Sequence, residues 1–367
     1  MKKTLFVFRE MGSGGAQKIE AFVANSLDKH GEEVVAINMS NKPITVQLNS
    51  SVRVINVPYD EINLVRNRIS RTIFKVKYLF KLRSVIKSIS PDVVIAFLSD
   101  VVRITVLAMS GMNIPIIGSE RGDPGVLSVR QYRKYRKAYI KCKGVVFQLP
   151  SVKAFYKLPG NIKQAVIPNP CTPRLDSHWT MTFSEDARVI VSAGRLEKQK
   201  RFDLLIDAFK IVSSKYPSYQ LVIYGEGSQR KELQRRIEDY HLEKSIKLYG
   251  DVSDVFSTEN MKDVAFFVLS SDYEGIPNVI LEAMMSGVPC VATDCTPGGA
   301  RFLLEDGELG LISPKGDANK LANNMIQYIE NIELRIKLAN KARVAVDKYS
   351  PEIIEGKWVH FIEKCRE

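Results

Sequence analysis

Short apolar runs alternate with helix-period stretches through this chain, and the whole alternation happens twice. In the first half the apolar runs fall at 4–8, 34–39, 52–57, 93–98, 115–119, 145–148 and 165–168. Several are continuously apolar, as strands buried on both faces of a parallel sheet are. Between the first two, residues 17–30 place Ile19, Phe22, Val23 and Leu27 at helical spacing, and Gly31 supplies a stop. Residues 168–188 break the rhythm with Pro168, Pro170 and Pro173, which marks a linker. Strand-like runs then resume at 189–193, 220–224, 246–249, 264–269 and 290–293. Helical stretches lie near 202–215, 229–240, 277–286 and 318–346, the last broken once. Strands alternating with helices imply parallel sheets wound on both faces. The expected fold is therefore α/β, with two Rossmann-like domains at 1–170 and 171–350 and a cleft between them. A tail at 351–367 sets Ile354, Trp358, Phe361 and Ile362 on one side. Ligands of open parallel sheets bind at the carboxyl ends of the strands, so chemistry is expected in the strand-to-helix loops.

Several classes are excluded at once. The longest uncharged stretch, 104–119, contains Ser110, Gly111, Asn113 and Pro115, and is shorter than the roughly 20 apolar residues that span a bilayer. The first apolar run stops at Arg9, so it reads as a buried strand rather than a leader. Five cysteines without a C-x-x-C pair suit neither a disulfide scaffold nor a zinc ribbon. Four histidines, no H-E-x-x-H and no D-x-D leave no evident metal site. Charge is split unevenly: residues 1–170 carry 27 Lys and Arg against 11 Asp and Glu, and residues 171–367 carry 26 against 30. The first half, at +16, is expected to face something anionic.

Five loops carry candidate chemistry. The first is Arg9-Glu10-Met11-Gly12-Ser13-Gly14-Gly15-Ala16, where Gly14 and Gly15 would admit a ligand near free N–H groups at a helix start. Its spacing is not G-x-G-x-x-G, so a dinucleotide site is weakly supported. The second is Gly194-Arg195-Leu196-Glu197-Lys198-Gln199-Lys200; the forked donors of Arg195 and the point charge of Lys200 suit a diphosphate. Gly225-Glu226-Gly227 follows the next strand and fits a nucleotide or a plain turn. The fourth runs from Ser271 to Met284 and contains Glu274-Gly275-Ile276-Pro277-Asn278-Val279 and, eight residues after Glu274, Glu282. Pro277 suits a first helical position, and a loop carboxylate accepts hydrogen bonds from sugar hydroxyls. The fifth is Thr293-Asp294-Cys295-Thr296-Pro297-Gly298-Gly299-Ala300-Arg301.

Taken in order, these motifs resemble the retaining GT-B glycosyltransferases of family 4. The matching features are Gly14-Gly15-Ala16, Gly194-Arg195-Leu196 with Lys200, Gly225-Glu226-Gly227, the E-x7-E element from Glu274 to Glu282, and Pro297-Gly298-Gly299-Ala300-Arg301 before Asp306-Gly307. They span nearly the whole chain. The resemblance implies an acceptor bound by the first domain and a nucleotide-sugar donor, UDP-linked by preference, bound by the second. It also implies transfer with retention, no cofactor and no metal, and a final helix that crosses back to the first domain. It assigns Glu274 to the donor sugar, Glu282 to the ribose, and Arg195 and Lys200 to the diphosphate. Arg195, Lys200 and Glu274 are the catalytic candidates. Gly14, Gly15, Gly225, Glu226, Gly275, Ile276, Asn278, Val279 and Glu282 complete the donor set. Where many members place a histidine, this chain has Gly118-Ser119-Glu120-Arg121-Gly122-Asp123-Pro124. That form is similar to a subgroup building bacterial surface polysaccharides, and Glu120 and Arg121 are the acceptor-side candidates.

Two basic segments remain. Residues 66–87 hold eight Lys and Arg and no acid, with apolar residues interleaved, and residues 121–143 hold eight more with Tyr132, Tyr135 and Tyr139. Read as amphipathic basic helices, they suit an anionic lipid surface. That implies a cytoplasmic protein peripheral to the inner leaflet, near a lipid-linked glycan acceptor. Two alternatives stand beside this reading: a GT-B nucleotide-sugar epimerase or hydrolase, and a non-catalytic nucleic-acid-binding protein. The acidic second half and the E-x7-E element oppose the latter, so no nucleic-acid partner is expected.

Overall fold

A computed structural model describes residues 1–12, 14–65, 67–171, 186–252, 254–257, 260–261 and 263–367. Most of the linker expected at 168–188 lies outside the described residues, as do Ser13 of the first loop and Arg66 of the first basic segment. The chain divides into two compact units. One comprises Met1–Pro170 with Glu352–Glu367, the other Cys171–Pro351.

The first unit contains strands β1 (Lys3–Phe8), β2 (Glu33–Asn38), β3 (Arg53–Asn56), β4 (Val93–Phe97), β5 (Ile116–Glu120), β6 (Gly144–Phe147) and β7 (Lys163–Val166). They form one parallel sheet in the order β3-β2-β1-β4-β5-β6-β7. The connections include helices α1 (Gly15–Lys29), α2 (Arg68–Ile89), α3 (Ser99–Ala108), α4 (Val129–Tyr139) and α5 (Pro150–Tyr156). The core joins Phe6, Phe8, Val23, Leu27 and Ile95 to Ile354, Trp358, Phe361 and Ile362 of the last helix. A side chain at Gly144 would meet Cys365 Sγ at 2.4 Å and the Phe361 ring at 2.9 Å. The glycine at the start of β6 is therefore what lets that helix lie close to the sheet.

In the second unit, β8 (Val189–Ala193), β9 (Gln220–Tyr224), β10 (Ile246–Gly250), β11 (Val264–Leu269), β12 (Cys290–Thr293) and β13 (Leu311–Ser313) form a parallel sheet. Its order is β10-β9-β8-β11-β12-β13. Its helices are α6 (Phe202–Lys215), α7 (Arg230–Asp239), α8 (Asn278–Met285), α9 (Gly299–Leu303), α10 (Ala318–Glu330) and α11 (Ile332–Ala345). The last helix of the chain, α12 (Pro351–Arg366), belongs almost wholly to the first unit. Phe209, Leu221, Ile223, Phe266 and Tyr328 are among the second unit's core residues.

The two doubly wound sheets are those expected. The break in 318–346 falls at Asn331, whose side chain accepts from the Leu334 N–H and caps α11. Three features differ. β13 is only three residues long, too short to register as an apolar run. α3 begins at Ser99 behind Leu98, whose φ of 71° turns the chain sharply off β4. In the second basic segment only Val129–Tyr139 is α-helix, started by a Ser128–Gln131 capping box; Pro124 opens a 3-10 turn ahead of it.

Candidate functional site

Each sheet has one point where the strand order reverses, between β1 and β4 and between β8 and β11. There the loops leaving two neighbouring strands diverge and open a crevice. In the second unit these are the loop after β8, bearing Arg195 and Lys200, and the loop after β11, bearing Glu274.

Those two loops are laced together. Asp272 N–H donates to Gln199 O at 2.9 Å, Gln199 Nε2 to Tyr273 O at 2.7 Å, and Ser270 Oγ to Lys200 O at 2.7 Å. Two charge pairs, Lys200–Glu274 and Arg201–Asp272, cross the same seam, and Asp203 holds Arg201 locally. Lys200 Nζ meets Glu274 Oε1 at 2.5 Å, both side chains being partly buried. Arg201 meets Asp272 at 3.1 Å and Asp203 at 3.0 Å. Ser271 Oγ also donates to Glu274 Oε1, at 2.9 Å. The loop after β12 closes the third side, where Glu274 N–H donates to Thr296 O at 2.8 Å. Glu274 is thus fixed through backbone and carboxylate together, and an ammonium with three donors still has two for another partner.

Arg195, five residues before Lys200 in the same loop, is exposed, and its charge acts on Glu197. Gly275 and Val279 are half-buried, and Ile276 is buried. Asn278 opens α8 behind Pro277, which takes the cap position rather than the first helical one, with no side-chain cap bond. The first N–H groups of α8 thus lie beside the loop of Glu274, where a helix start favours an anion. Glu282 sits one turn further along and is half-buried. Glu226, by contrast, is exposed and pairs with Arg230 one turn on, at 2.6 Å.

The glycines divide into two kinds. A Cβ on Gly225 would lie 2.0 Å from Gly194 O, one on Gly227 2.5 Å from Leu196 O, and one on Gly299 1.6 Å from Gly275 O. These three exist so that neighbouring loops can touch. A Cβ on Gly15 would meet nothing within 4 Å, and one on Gly14 only the flexible end of Gln17. The space above the first loop is open, as close approach by a ligand requires.

In the first unit Arg9, after β1, pairs with Asp100, after β4, at 3.3 Å. Both units therefore carry an ion pair across their switch points. Glu120 and Arg121, at the end of β5, are buried. Glu120 Oε1 accepts from the N–H groups of Arg121 and Gly122 at 3.0 and 2.9 Å. Its Oε2 accepts from Tyr156 OH at 2.6 Å, from Tyr139 OH at 3.1 Å and from Ser99 Oγ. Arg121 lies with its guanidinium carbon 5.4 Å from both the Phe97 and Trp358 rings. It donates to Ser119 Oγ at 3.0 Å, Ile167 O at 3.1 Å and Asn169 Oδ1 at 3.2 Å. Both side chains are thus engaged inside the first unit, under the loop they precede.

Two participants, Arg201 and Glu20, escape sequence reasoning, and the Arg301 of the fifth loop takes a structural part. Arg201 has φ 49°, a left-handed backbone that favours glycine, and is held there by Asp203 and Asp272. Glu20, on α1, is buried with Oε1 unpartnered among the described residues; burial pushes its carboxyl well above the usual range, against a smaller pull from Arg121. Arg301 belongs to structure, holding Asp294 at 2.6 Å and Asp306 at 3.2 Å. Among the described residues no group of three or more His, Cys, Asp or Glu is placed to hold a metal ion. No helix of the described residues is long and apolar enough to cross a membrane.

Residues 174–345 match the family model described as glycosyl transferases group 1. Along 98% of its length the chain is 27% identical to a glycosyltransferase of Haemophilus influenzae, covering 99% of that protein. It is 24% identical, over 100% of its own length and 99% of the other, to the GalNAc-alpha-(1->4)-GalNAc-alpha-(1->3)-diNAcBac-PP-undecaprenol alpha-1,4-N-acetyl-D-galactosaminyltransferase of Campylobacter jejuni. Among solved structures, the lipopolysaccharide outer core galactosyltransferase WaaB superposes with a TM-score of 0.79 at 17% identity, covering 99% of each chain. Anabaena HepE, solved with UDP and glucose, superposes with 0.76 at 17% identity, over 99% of this chain and 100% of that one. The chain has the GT-B fold, and its residues 174–345 are similar to the glycosyl transferases group 1.

Proposed function

We propose that this protein is a retaining, metal-independent glycosyltransferase. It moves a hexose or N-acetylhexosamine from a UDP-linked donor to a lipid-linked glycan acceptor in the assembly of a bacterial surface polysaccharide, such as capsule, O-antigen or exopolysaccharide. The observation that carries this reading is the Lys200–Glu274 pair, at 2.5 Å, between the two loops that diverge at the second sheet's switch point. One loop supplies cations for a leaving diphosphate and the other a fixed carboxylate for sugar hydroxyls. HepE, whose fold this chain shares, was solved with UDP and glucose, and the Campylobacter relative is named for an undecaprenol-diphosphate acceptor.

In the reaction the bond from the anomeric carbon to the diphosphate oxygen breaks, and charge grows on the departing nucleotide. Arg195, Lys200 and the first N–H groups of α8 oppose that charge without a divalent ion, and fixed donors of this kind lower the barrier most. The acceptor oxygen bonds to the anomeric carbon from the face the diphosphate leaves. Its proton passes to a leaving phosphate oxygen, so configuration is retained. Glu274 orients the sugar. Gly14 and Gly15 leave the first loop open to close approach, while Glu120 and Arg121 hold the acceptor-side loop from beneath. The first unit takes the acceptor, and the protein works in the cytoplasm at the membrane face.

A panel of nucleotide sugars, incubated with lipid-linked acceptors and followed by NMR of the product linkage, tests this. An α-linked product from an α-linked UDP-sugar, formed equally in chelator, is the expected result. Donor consumed without transfer to any acceptor would instead make the protein an epimerase or hydrolase.

A further inference from the structure

We propose that the outer face of α2 docks this protein onto an anionic lipid bilayer by shallow insertion of an apolar stripe. The proposal deepens the membrane-face part of the reading above and rests on none of the donor chemistry.

An amphipathic surface helix ordinarily buries one apolar stripe and exposes polar residues. α2 does more. It buries Tyr78, Leu82, Ile86 and Ile89 against the first unit. It also leaves a second apolar series in solvent: Ile69 is 75% exposed, Ile73 50%, Val76 48% and Phe80 68%. Their spacing of four, three and four residues sets them in one line, roughly opposite the buried series, over about 16 Å of helix. Leu64, ahead of the helix, is 82% exposed as well.

The charges around the line are of one sign. Arg68, Arg71, Lys75, Lys77 and Lys81 are exposed, and residues 62–91 contain no Asp or Glu. α4 adds exposed Arg130, Arg133, Lys134 and Lys137, with Val126 and Val129 exposed ahead of and at its start. α2 and α4 both pack against α3, and the charges of Arg130 on α4, Arg103 on α3 and Lys75 on α2 all act on the Lys134 ammonium. A surface holding like charges together around uncovered aliphatic side chains calls for a partner both anionic and apolar.

A bilayer with acidic headgroups is both: phosphates take the lysines and arginines while the acyl boundary takes the stripe. A second copy of this chain meets only half of the requirement. A two-fold contact would lay this acid-free face against itself. Single-stranded nucleic acid needs flat rings for its bases, and Phe80 is the one aromatic residue of the stripe.

Vesicle flotation with the full-length chain tests the proposal, comparing phosphatidylcholine alone with phosphatidylcholine containing phosphatidylglycerol. The wild type should float with the acidic vesicles and not the neutral ones. Ile73→Asp with Phe80→Asp should cut recovery on acidic vesicles about tenfold or more, as loss of inserted apolar area plus like-charge repulsion requires. Both side chains are exposed, so melting should be unchanged, and Phe80→Trp should add emission that shifts blue on acidic vesicles only. Arg71→Ala with Lys75→Ala should weaken binding most at low ionic strength, where the attraction is least screened, and less at physiological salt. Equal recovery on neutral and acidic vesicles would overturn the proposal. So would undiminished binding of the aspartate variant, or a dimer in solution that this variant dissociates. Flotation without transfer in any donor panel would retire the enzyme reading and leave docking intact; transfer to a soluble acceptor without flotation would do the reverse.

Discussion

Glu274 illustrates how one side chain takes its role from its neighbours. Its carboxylate is held by Lys200 and Ser271 and its N–H by Thr296. On the proposed reading, Glu274→Ala removes the carboxylate that would orient the sugar, and it frees the Lys200 ammonium of its ion pair. Transfer should fall by roughly a hundredfold or more, the scale of losing one preorganised contact, while calorimetry should find UDP affinity equal to or above that of the wild type. Parallel loss of both would move Glu274 to the nucleotide end. Glu20 makes a separate prediction. Burial raises its folded pKa above the unfolded one, so its stabilising contribution is complete below the ordinary carboxylate range and is lost as pH rises through the raised value. Glu20→Gln should therefore melt higher than the wild type at alkaline pH, and the gain should shrink on acidification. A difference in melting temperature that stays flat with pH would contradict this. Neither Glu20 nor Arg201 was legible in the sequence, because what defines them is a partner or a burial set by residues far along the chain.

Among the elements, legibility followed hydrophobic continuity. β8, β9, β11 and β12 ran where their largely apolar residues placed them, since a strand buried on both faces is mostly apolar; the buried hydroxyls of Ser192 and Thr293 are satisfied by the carbonyls of Val268 and Ser271. β13 is too short for that signal. The outer stripe of α2 was invisible for another reason: interleaved apolar and basic residues say that a helix has two faces but not which one the fold covers. The seam between the loops after β8 and β11 is an element-scale device as well, since Arg201 sits in a strained backbone next to Lys200 while its partner Asp272 lies two residues before Glu274. Arg201→Gly relaxes the backbone but cuts that clasp. The expected result is a melting temperature within a few degrees of the wild type, because the lost contacts are partly offset by relief of about 1 kcal/mol of backbone strain. kcat should fall several-fold or more with KM for the donor little changed. A purely structural role would instead lower the melting temperature and spare kcat.

At the scale of the molecule, two parallel sheets each place an ion pair across a switch point, Arg9–Asp100 in the first unit and Lys200–Glu274 in the second. The doubly wound class and the loops that matter were readable from strand–helix alternation alone. Pairing across a loop gap was not, because the distance between two strand ends depends on the sheet order. The charge split belongs to this scale too: the +16 half carries the basic helices, and the more acidic half carries the diphosphate candidates. The most direct test of the donor assignment is turnover of a nucleotide sugar by Arg195→Ala and Lys200→Ala, measured in chelator with the matching acceptor. Each should lose about a hundredfold or more in kcat, and Arg195→Ala, whose side chain is exposed, should do so with unchanged melting. Near-normal turnover by both would contradict the account.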